Sequence, residues 1–141
     1  MMLKSKLATL AGALILAGSA FANSQITCPD INDIKSVGLS NAEPIGADMY
    51  LTYQISKYNT PNTYGFFLAP IEGNSSENAL ETANEILNIM NAPGVPTQYH
   101  GTMMCLYETG HSNIMAAAIE DDSVMSPTKL KQYWLQAHKA R

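Results

Sequence analysis

The chain has few cysteines, few basic residues and no recognised catalytic motif. Its 141 residues include two cysteines and eight Lys or Arg. It contains no G-x-S-x-G, H-E-x-x-H, P-loop or G-x-G-x-x-G motif, so no residue pattern supports a hydrolase, a zinc protease or a nucleotide-binding enzyme. It also contains no C-x-x-C spacing, the usual mark of a redox-active or zinc-binding cysteine pair. We therefore expect a protein that binds and does not catalyse.

Long apolar runs are also missing after the first 22 residues. Within those residues, Lys4 and Lys6 precede the apolar stretch Leu7–Ala17, and Ala20-Phe21-Ala22 is a small-x-small cleavage site. The stretch is too short to span a hydrocarbon core of about 30 Å comfortably. This pattern is typical of a cleaved signal peptide over residues 1–22. We expect one exported domain over residues 23–141, in a periplasm or outside the cell.

The charge balance after residue 22 is acidic. Removing Lys4 and Lys6 leaves six basic residues against twelve acidic ones, a net charge of −6. Because nucleic-acid binding relies on clustered Lys and Arg, this balance argues against a nucleic-acid partner. It equally argues against an anionic membrane surface.

The two cysteines, Cys28 and Cys105, both lie after the signal segment. In an oxidising compartment two cysteines most simply pair with each other. The alternative is a reactive thiol or a metal ligand. We favour the disulfide, which would tie the start of the mature chain to a strand far along it.

Periodicity predicts three helices and four strands. Helices are expected over Asp30–Val37, from Asn74 to about Asn91, and from Ser126-Pro127 onward, the last with an inner stripe of Leu130, Tyr133, Trp134 and Ala137. Strands are expected from Met49 to Ser56, Tyr64 to Leu68, Thr102 to Glu108 and Asn113 to Ile119. Pro44 and Gly46 favour a loop over residues 39–47, and Pro93–Pro96 favours a linker.

The predicted order is therefore α-β-β-α-β-β-α. Short connections favour two antiparallel hairpins that form one four-stranded sheet, with helices packed on it as a two-layer α+β domain. The run Ala116-Ala117-Ala118 indicates a place where a helix packs close to the backbone.

Among the histidines, His100 is the candidate ligand. It follows Tyr99 just before a predicted strand, and imidazole and phenolate both serve as axial ligands to haem iron. The alternative is ordinary packing at a strand entrance. His111 is expected to be exposed in a hairpin turn, and His138 to complement the dipole of the last helix.

Two further patterns have simple alternatives. Glu120-Asp121-Asp122 could hold a hard cation, although adjacent acidic residues in a turn are usually just solvated. Tyr50 lies on the predicted outer face of its strand, where tyrosines could dock a protein partner. We favour the interpretation that Tyr50 rims the core.

Several segments carry a resemblance to a known family. They are Cys28-Pro29, Ile34–Leu39, the helix start Ser75-Ser76 with Ala79-Leu80, Cys105-Leu106-Tyr107 and Ala116–Ile119. Together they resemble a family of small exported proteins of intracellular gammaproteobacteria that includes a hemin-binding protein.

The resemblance implies export, an α+β domain and hemin binding for iron acquisition. It transfers no ligand motif, so the candidate ligands are His100 and Tyr99, with an apolar cleft between sheet and helix for the porphyrin. Lys57 and Lys35 are candidate partners for the propionates. The alternative function is a small secreted interaction module that docks a host or envelope protein through an exposed sheet face.

Overall fold

The computed structural model describes residues 27–99, 101–120 and 127–140. Within this part of the chain the fold is α+β, with three helices and six strands. The helices are α1 (Ile31–Val37), α2 (Ser76–Ile89) and α3 (Pro127–Ala140). The strands are β1 (Asn41–Gly46), β2 (Met49–Ser56), β3 (Tyr64–Glu72), β4 (Val95–Tyr99), β5 (Thr102–Tyr107) and β6 (Met115–Glu120).

The strands form one antiparallel sheet in the order β1-β2-β3-β6-β5-β4. The two predicted hairpins, β2-β3 and β5-β6, are confirmed. The prediction of four strands is wrong, because β1 and β4 extend the sheet at its two edges. The order along the chain is therefore α-β-β-β-α-β-β-β-α.

The two missed strands contain the residues that suggested loops. β1 includes Pro44 and β4 includes Pro96, and proline is compatible with an edge strand because its missing N–H can face away from the sheet. Tight turns at Asp48 (φ 56°) and Gly101 (φ 78°) return each edge strand onto its neighbour. The prolines therefore mark the edges of the sheet.

Helices α1 and α2 cover one face of the sheet. Asp30 caps α1 by accepting the Asn32 N–H at 2.7 Å, so the helix begins one residue later than predicted, and Gly38 ends it at φ 77°. The N-cap of α2 is Ser75 instead of Asn74, since the Ser75 hydroxyl accepts the backbone N–H of Asn78. The first core lies on this face and is formed mainly by Ile31, Ile34, Tyr58, Tyr64, Phe66, Leu68, Ala83, Leu87, Cys105, Tyr107, Ala116 and Ala118.

Helix α3 covers the other face. The second core lies there and is formed by Leu51, Tyr53, Phe67, Ala69, Met104, Met115, Ala117, Ile119, Leu130 and Trp134. The two-layer prediction is therefore wrong: the sheet lies between two helical layers. The alanine run serves both cores, because successive strand residues point to opposite faces.

This architecture changes the interpretation of the expected open sheet face. Tyr50 packs half-buried at the edge of the first core, which confirms the rim interpretation. On the opposite side of β2, Leu51 and Tyr53 are buried in the second core. Both faces of β2 are thus packed, whereas one of them was expected to be open to solvent.

In the described part of the chain, none of the helices is long and apolar enough to cross a membrane. The predicted signal peptide, residues 1–22, lies outside the described residues.

Candidate functional site

A cleft of about 740 Å³ opens at one end of the sheet, between the start of β4 and the loop that joins β5 to β6. Leu106, Ile114 and Met115 line it with aliphatic and thioether surface, and Val95 adds a side chain that is 57% exposed. Small-molecule sites in proteins typically have volumes of roughly 300–1,000 Å³ and mostly apolar walls with few polar groups. This cleft is therefore the candidate binding site.

The loop at the mouth of the cleft, residues 108–114, is held by one buried hydroxyl. The Oγ1 of Thr109, a residue only 6% exposed, accepts the His111 backbone N–H at 3.0 Å. It also lies 2.9 Å from the carbonyl oxygen of His111 and 3.1 Å from that of Ile114, and these two carbonyls share its single proton. Gly110 supplies the left-handed turn at φ 84°. The loop thus fixes the backbone of His111 beside the cleft.

One wall of the cleft depends on a close approach between Tyr107 and Gly94. A Cβ atom at Gly94 would lie 2.6 Å from the Cζ of Tyr107, so only glycine lets the ring pack there. The ring of Tyr107 also meets Phe66 edge-on, with 5.7 Å between ring centroids. Tyr107 therefore belongs both to the first core and to this wall of the cleft.

Behind that wall, the N-terminal segment is fastened to the sheet at three points. The Cys28–Cys105 disulfide joins it to β5, which confirms the predicted pairing. The hydroxyl of Tyr107 donates to the carbonyl oxygen of Pro29 at 2.6 Å. The hydroxyl of Tyr64 donates to the carbonyl oxygen of Thr27 at 2.8 Å.

Burial governs the ionisation of the tyrosines around the first core. Desolvation raises the pKa of Tyr58 and of Tyr107 well above the ordinary value of 10.0. Desolvation, followed by the nearby Glu120 carboxylate, also raises the pKa of Tyr64. These phenols therefore stay neutral at physiological pH, and Tyr107 acts in the cleft wall as a hydrogen-bond donor already engaged by Pro29.

Most of the predicted site residues lie wholly or partly outside the described part of the chain. Tyr99 ends β4, where it pairs with Thr102, but its side chain lies outside the described part of the chain. His100 also lies outside it, as do Asp121, Asp122 and the side chain of His138. Among the described residues, no group of three or more His, Cys, Asp or Glu could hold a metal ion.

His111 is the residue that sequence reasoning undervalued. It is exposed, as predicted, yet it lines the cleft together with Glu108. The cleft could not be anticipated because one of its walls is β4, which had been interpreted as a linker. In the sequence, the threonine followed by glycine at Thr109-Gly110 was the available signal of an ordered turn.

The described residues of the cleft combine mostly apolar walls with the exposed imidazole of His111. Among the described residues that line the cleft there is no Lys or Arg, and neither Lys35 nor Lys57 is one of them.

Comparison with known proteins identifies one family. The sequence model of a domain of unknown function (DUF4949) matches residues 27–133, which contain every strand and most of the helical residues. No curated protein and no solved structure matches the chain.

Proposed function

The chain belongs to the DUF4949 family, and we propose that it is an exported, non-enzymatic protein that binds hemin. The observation that carries this proposal is the cleft of about 740 Å³, whose described lining is mostly apolar in area and includes one histidine, His111, at the mouth. The disulfide is compatible with an oxidising compartment outside the cytoplasm. The resemblance of Cys28-Pro29 and Cys105-Leu106-Tyr107 to a family that includes a hemin-binding protein supports the choice of ligand.

The proposed axial ligand is the imidazole of His111. Its backbone is held by the Thr109 hydroxyl, so the loop itself would lose little freedom when the imidazole binds a metal. His100 and Tyr99 remain the alternative ligands, because they are neighbours in the sequence whose imidazole and phenolate groups can bind haem iron. Bound hemin would supply an open iron coordination site, while Leu106, Ile114 and Met115 would shield the porphyrin face from water.

The experiment is a hemin titration followed by absorbance, with protein purified from residue 23 onward. His111→Ala, His100→Ala and Tyr99→Phe are compared, and His138→Ala serves as the matched histidine control. We expect a saturable one-to-one Soret shift that only His111→Ala abolishes. A shift abolished by His100→Ala or Tyr99→Phe instead would move the ligand to that residue.

A second variant tests the cleft itself. Val95→Asp places a carboxylate in the apolar wall at a position that is 57% exposed, so the fold should tolerate it. Because burying an unpaired charge is unfavourable, hemin affinity should fall markedly while the melting temperature stays unchanged. A weak, unsaturable spectral change shared by all variants would mean nonspecific adsorption and would overturn the proposal.

The second candidate function is a secreted module that docks another protein. Ile89 and Val95 are large aliphatic residues with exposures of 72% and 57%, and exposed apolar residues are frequent at interfaces. Docking would then involve the end of the sheet near the cleft, because both faces of β2 and β3 are packed. This function predicts no specific hemin spectrum.

A further inference from the structure

The two edges of the sheet, β1 and β4, are not equivalent. In an antiparallel pair, alternate residues direct their backbone N–H and C=O toward the neighbouring strand, and the residues between them direct these groups away from it. Pro44 of β1 and Pro96 of β4 occupy outward positions, because proline has no N–H to give to the ladder. At β1 the carbonyl oxygen of Pro44 accepts a hydrogen bond from the ammonium of Lys131 at 3.4 Å. A side chain of α3 therefore covers part of that edge.

The edge at β4 is open. Pro96 and Gln98 alternate with residues that face β5, and both are exposed. Their outward groups are the two carbonyl oxygens and the N–H of Gln98. Within the described part of the chain, no hydrogen bond beyond the β4–β5 ladder engages these groups. An open strand edge of this kind is a template for pairing with another extended chain.

Clefts lie on both faces of the sheet beside this edge. Successive side chains of a strand point to opposite faces, so Val95 and Thr97 share one face and Pro96 lies on the other. Val95 and Thr97 line the cleft of about 740 Å³ described above. Pro96 lines a second cleft of about 400 Å³, the N-terminal cleft, which Asp30 and Asn32 also line. A strand added to β4 would therefore place its alternate side chains over one mostly apolar cleft and one more polar cleft.

The charged residues of the two clefts favour a cationic partner. The exposed Glu108 lines the larger cleft, and the exposed Asp30 lines the N-terminal cleft. Among the described residues that line either cleft there is no Lys or Arg. Because opposite charges on two partners favour their association and exclude partners of the wrong sign, a basic chain is the complement of this edge.

We propose that β4 binds an extended basic peptide, which adds a strand to the sheet. Backbone hydrogen bonds to Pro96 and Gln98 hold the peptide, and the two clefts select its alternate side chains, as in other cases of strand addition. Pro96 offers only its carbonyl oxygen, so Gln98 is the main pairing residue. The inference goes beyond hemin binding and does not require it. It gives docking at this end of the sheet a partner of defined chemistry.

The experiment measures fluorescence anisotropy of a labelled seven-residue peptide with the protein purified from residue 23 onward. The peptide alternates valine and threonine between a lysine at each end, so its valines share one face. We expect saturable binding. Gln98→Pro removes the outward N–H, as proline already does at position 96, and should weaken binding about three- to tenfold, the contribution of one hydrogen bond. Glu108→Gln should weaken binding about two- to fivefold, because it removes one exposed carboxylate.

The matched control is Ala42→Pro, which removes an outward N–H at the opposite edge, two residues before Pro44. It should leave binding unchanged. A peptide whose central residues are N-methylated tests the wild-type protein in the same way from the peptide's side and should not bind, because it cannot donate to the edge. Equal binding of the methylated peptide, equal loss in Ala42→Pro, or no saturation below about 1 mM would overturn the proposal.

Two further measurements separate this proposal from its alternatives. Sedimentation of the protein without peptide should show a monomer; a dimer that Gln98→Pro dissociates would overturn the proposal and would assign the edge to a second copy of the chain. A peptide with glutamate in place of each lysine should bind more weakly, and equal binding would overturn the basic preference. Hemin is absent from every arm, so a failure of hemin binding and a failure of strand addition are observed independently.

Discussion

Tyr107 connects three parts of the molecule. Its hydroxyl donates to the carbonyl oxygen of Pro29 at 2.6 Å, its ring packs edge-on against Phe66, and its side chain lines the cleft. The side chain is 5% exposed, so the hydroxyl has exchanged water for this one acceptor. A buried donor of this kind is costly to leave unsatisfied, which makes both partners sensitive to substitution.

The buried tyrosines predict a loss of stability at alkaline pH. Burial raises the pKa of Tyr58 and Tyr107 in the folded protein, whereas in the unfolded chain it is about 10. Their contribution to the free energy of unfolding is fully present below about pH 10, the pKa of tyrosine in the unfolded chain. It is lost as the pH rises through the raised pKa of the folded protein, because between the two pKa values only the unfolded chain releases these protons. The free energy of unfolding, measured by urea titration, should therefore fall above about pH 10, by up to about 1.4 kcal/mol per pH unit for each group.

Tyr107→Phe is the test of this assignment. At neutral pH it should lower the free energy of unfolding by roughly 1–2 kcal/mol, because the Pro29 carbonyl loses its donor. Above about pH 10 its stability should fall less steeply than that of the wild type, since one titrating group is gone. Identical slopes for the variant and the wild type would show that Tyr107 is not responsible.

At the scale of the elements, the N-terminal segment is held to the sheet by a disulfide and by side-chain contacts. The disulfide fastens Cys28 to β5, and Ile31 and Ile34 of α1 enter the first core. Downstream of α1, the amide of Asn84 on α2 accepts the N–H of Leu39 and donates to its carbonyl oxygen, each at 3.0 Å. Side-chain contacts therefore hold this segment outside the hydrogen-bonding ladder of the sheet.

Reduction of the disulfide should destabilise the protein strongly. The two cysteines are 77 residues apart. Closing a loop of that length lowers the conformational entropy of the unfolded chain, which raises the free energy of unfolding by roughly 4–5 kcal/mol in the chain-entropy model. The melting temperature, followed by circular dichroism, should drop by many degrees in reductant. Cys28→Ala/Cys105→Ala should melt near the reduced wild type and should not respond to reductant. An unchanged wild-type melt in reductant would contradict the structural role of the bond.

The elements also show where local patterns succeed and fail. α1 was predictable because Asp30 and Gly38 are strong local signals for a helix start and stop. β2 was predictable from its alternation of apolar and polar residues. β1 and β4 were missed because Pro44 and Pro96 oppose a central strand, and only pairing with β2 and β5 shows that both strands lie at an edge.

At the scale of the whole molecule, two cores share one sheet. Adjacent residues of β3 enter different cores, Phe66 the first and Phe67 the second, and both are fully buried. The cores are therefore coupled through the same backbone, and we expect them to unfold together.

A matched pair of substitutions tests this three-layer arrangement. Phe66→Ala and Phe67→Ala should each lower the free energy of unfolding by roughly 3–5 kcal/mol, because each leaves a cavity in a packed core. In a two-layer protein one of these neighbouring residues would face solvent, and its substitution would cost little. Urea unfolding followed by tryptophan fluorescence, which reports the second core through Trp134, and by far-ultraviolet circular dichroism should give coincident transitions.

What the sequence by itself determined is local: the end of α1 at Gly38, the alternation in β2, the two central hairpins and the pairing of Cys28 with Cys105. These features depend on neighbours along the chain or on there being only two cysteines to pair. Only the tertiary structure decided that the sheet has six strands and two covered faces, that Gly94 lets Tyr107 form a wall, and that His111 borders a cleft. Such arrangements depend on which distant segments pack together, and no short stretch of residues determines the energy of that packing.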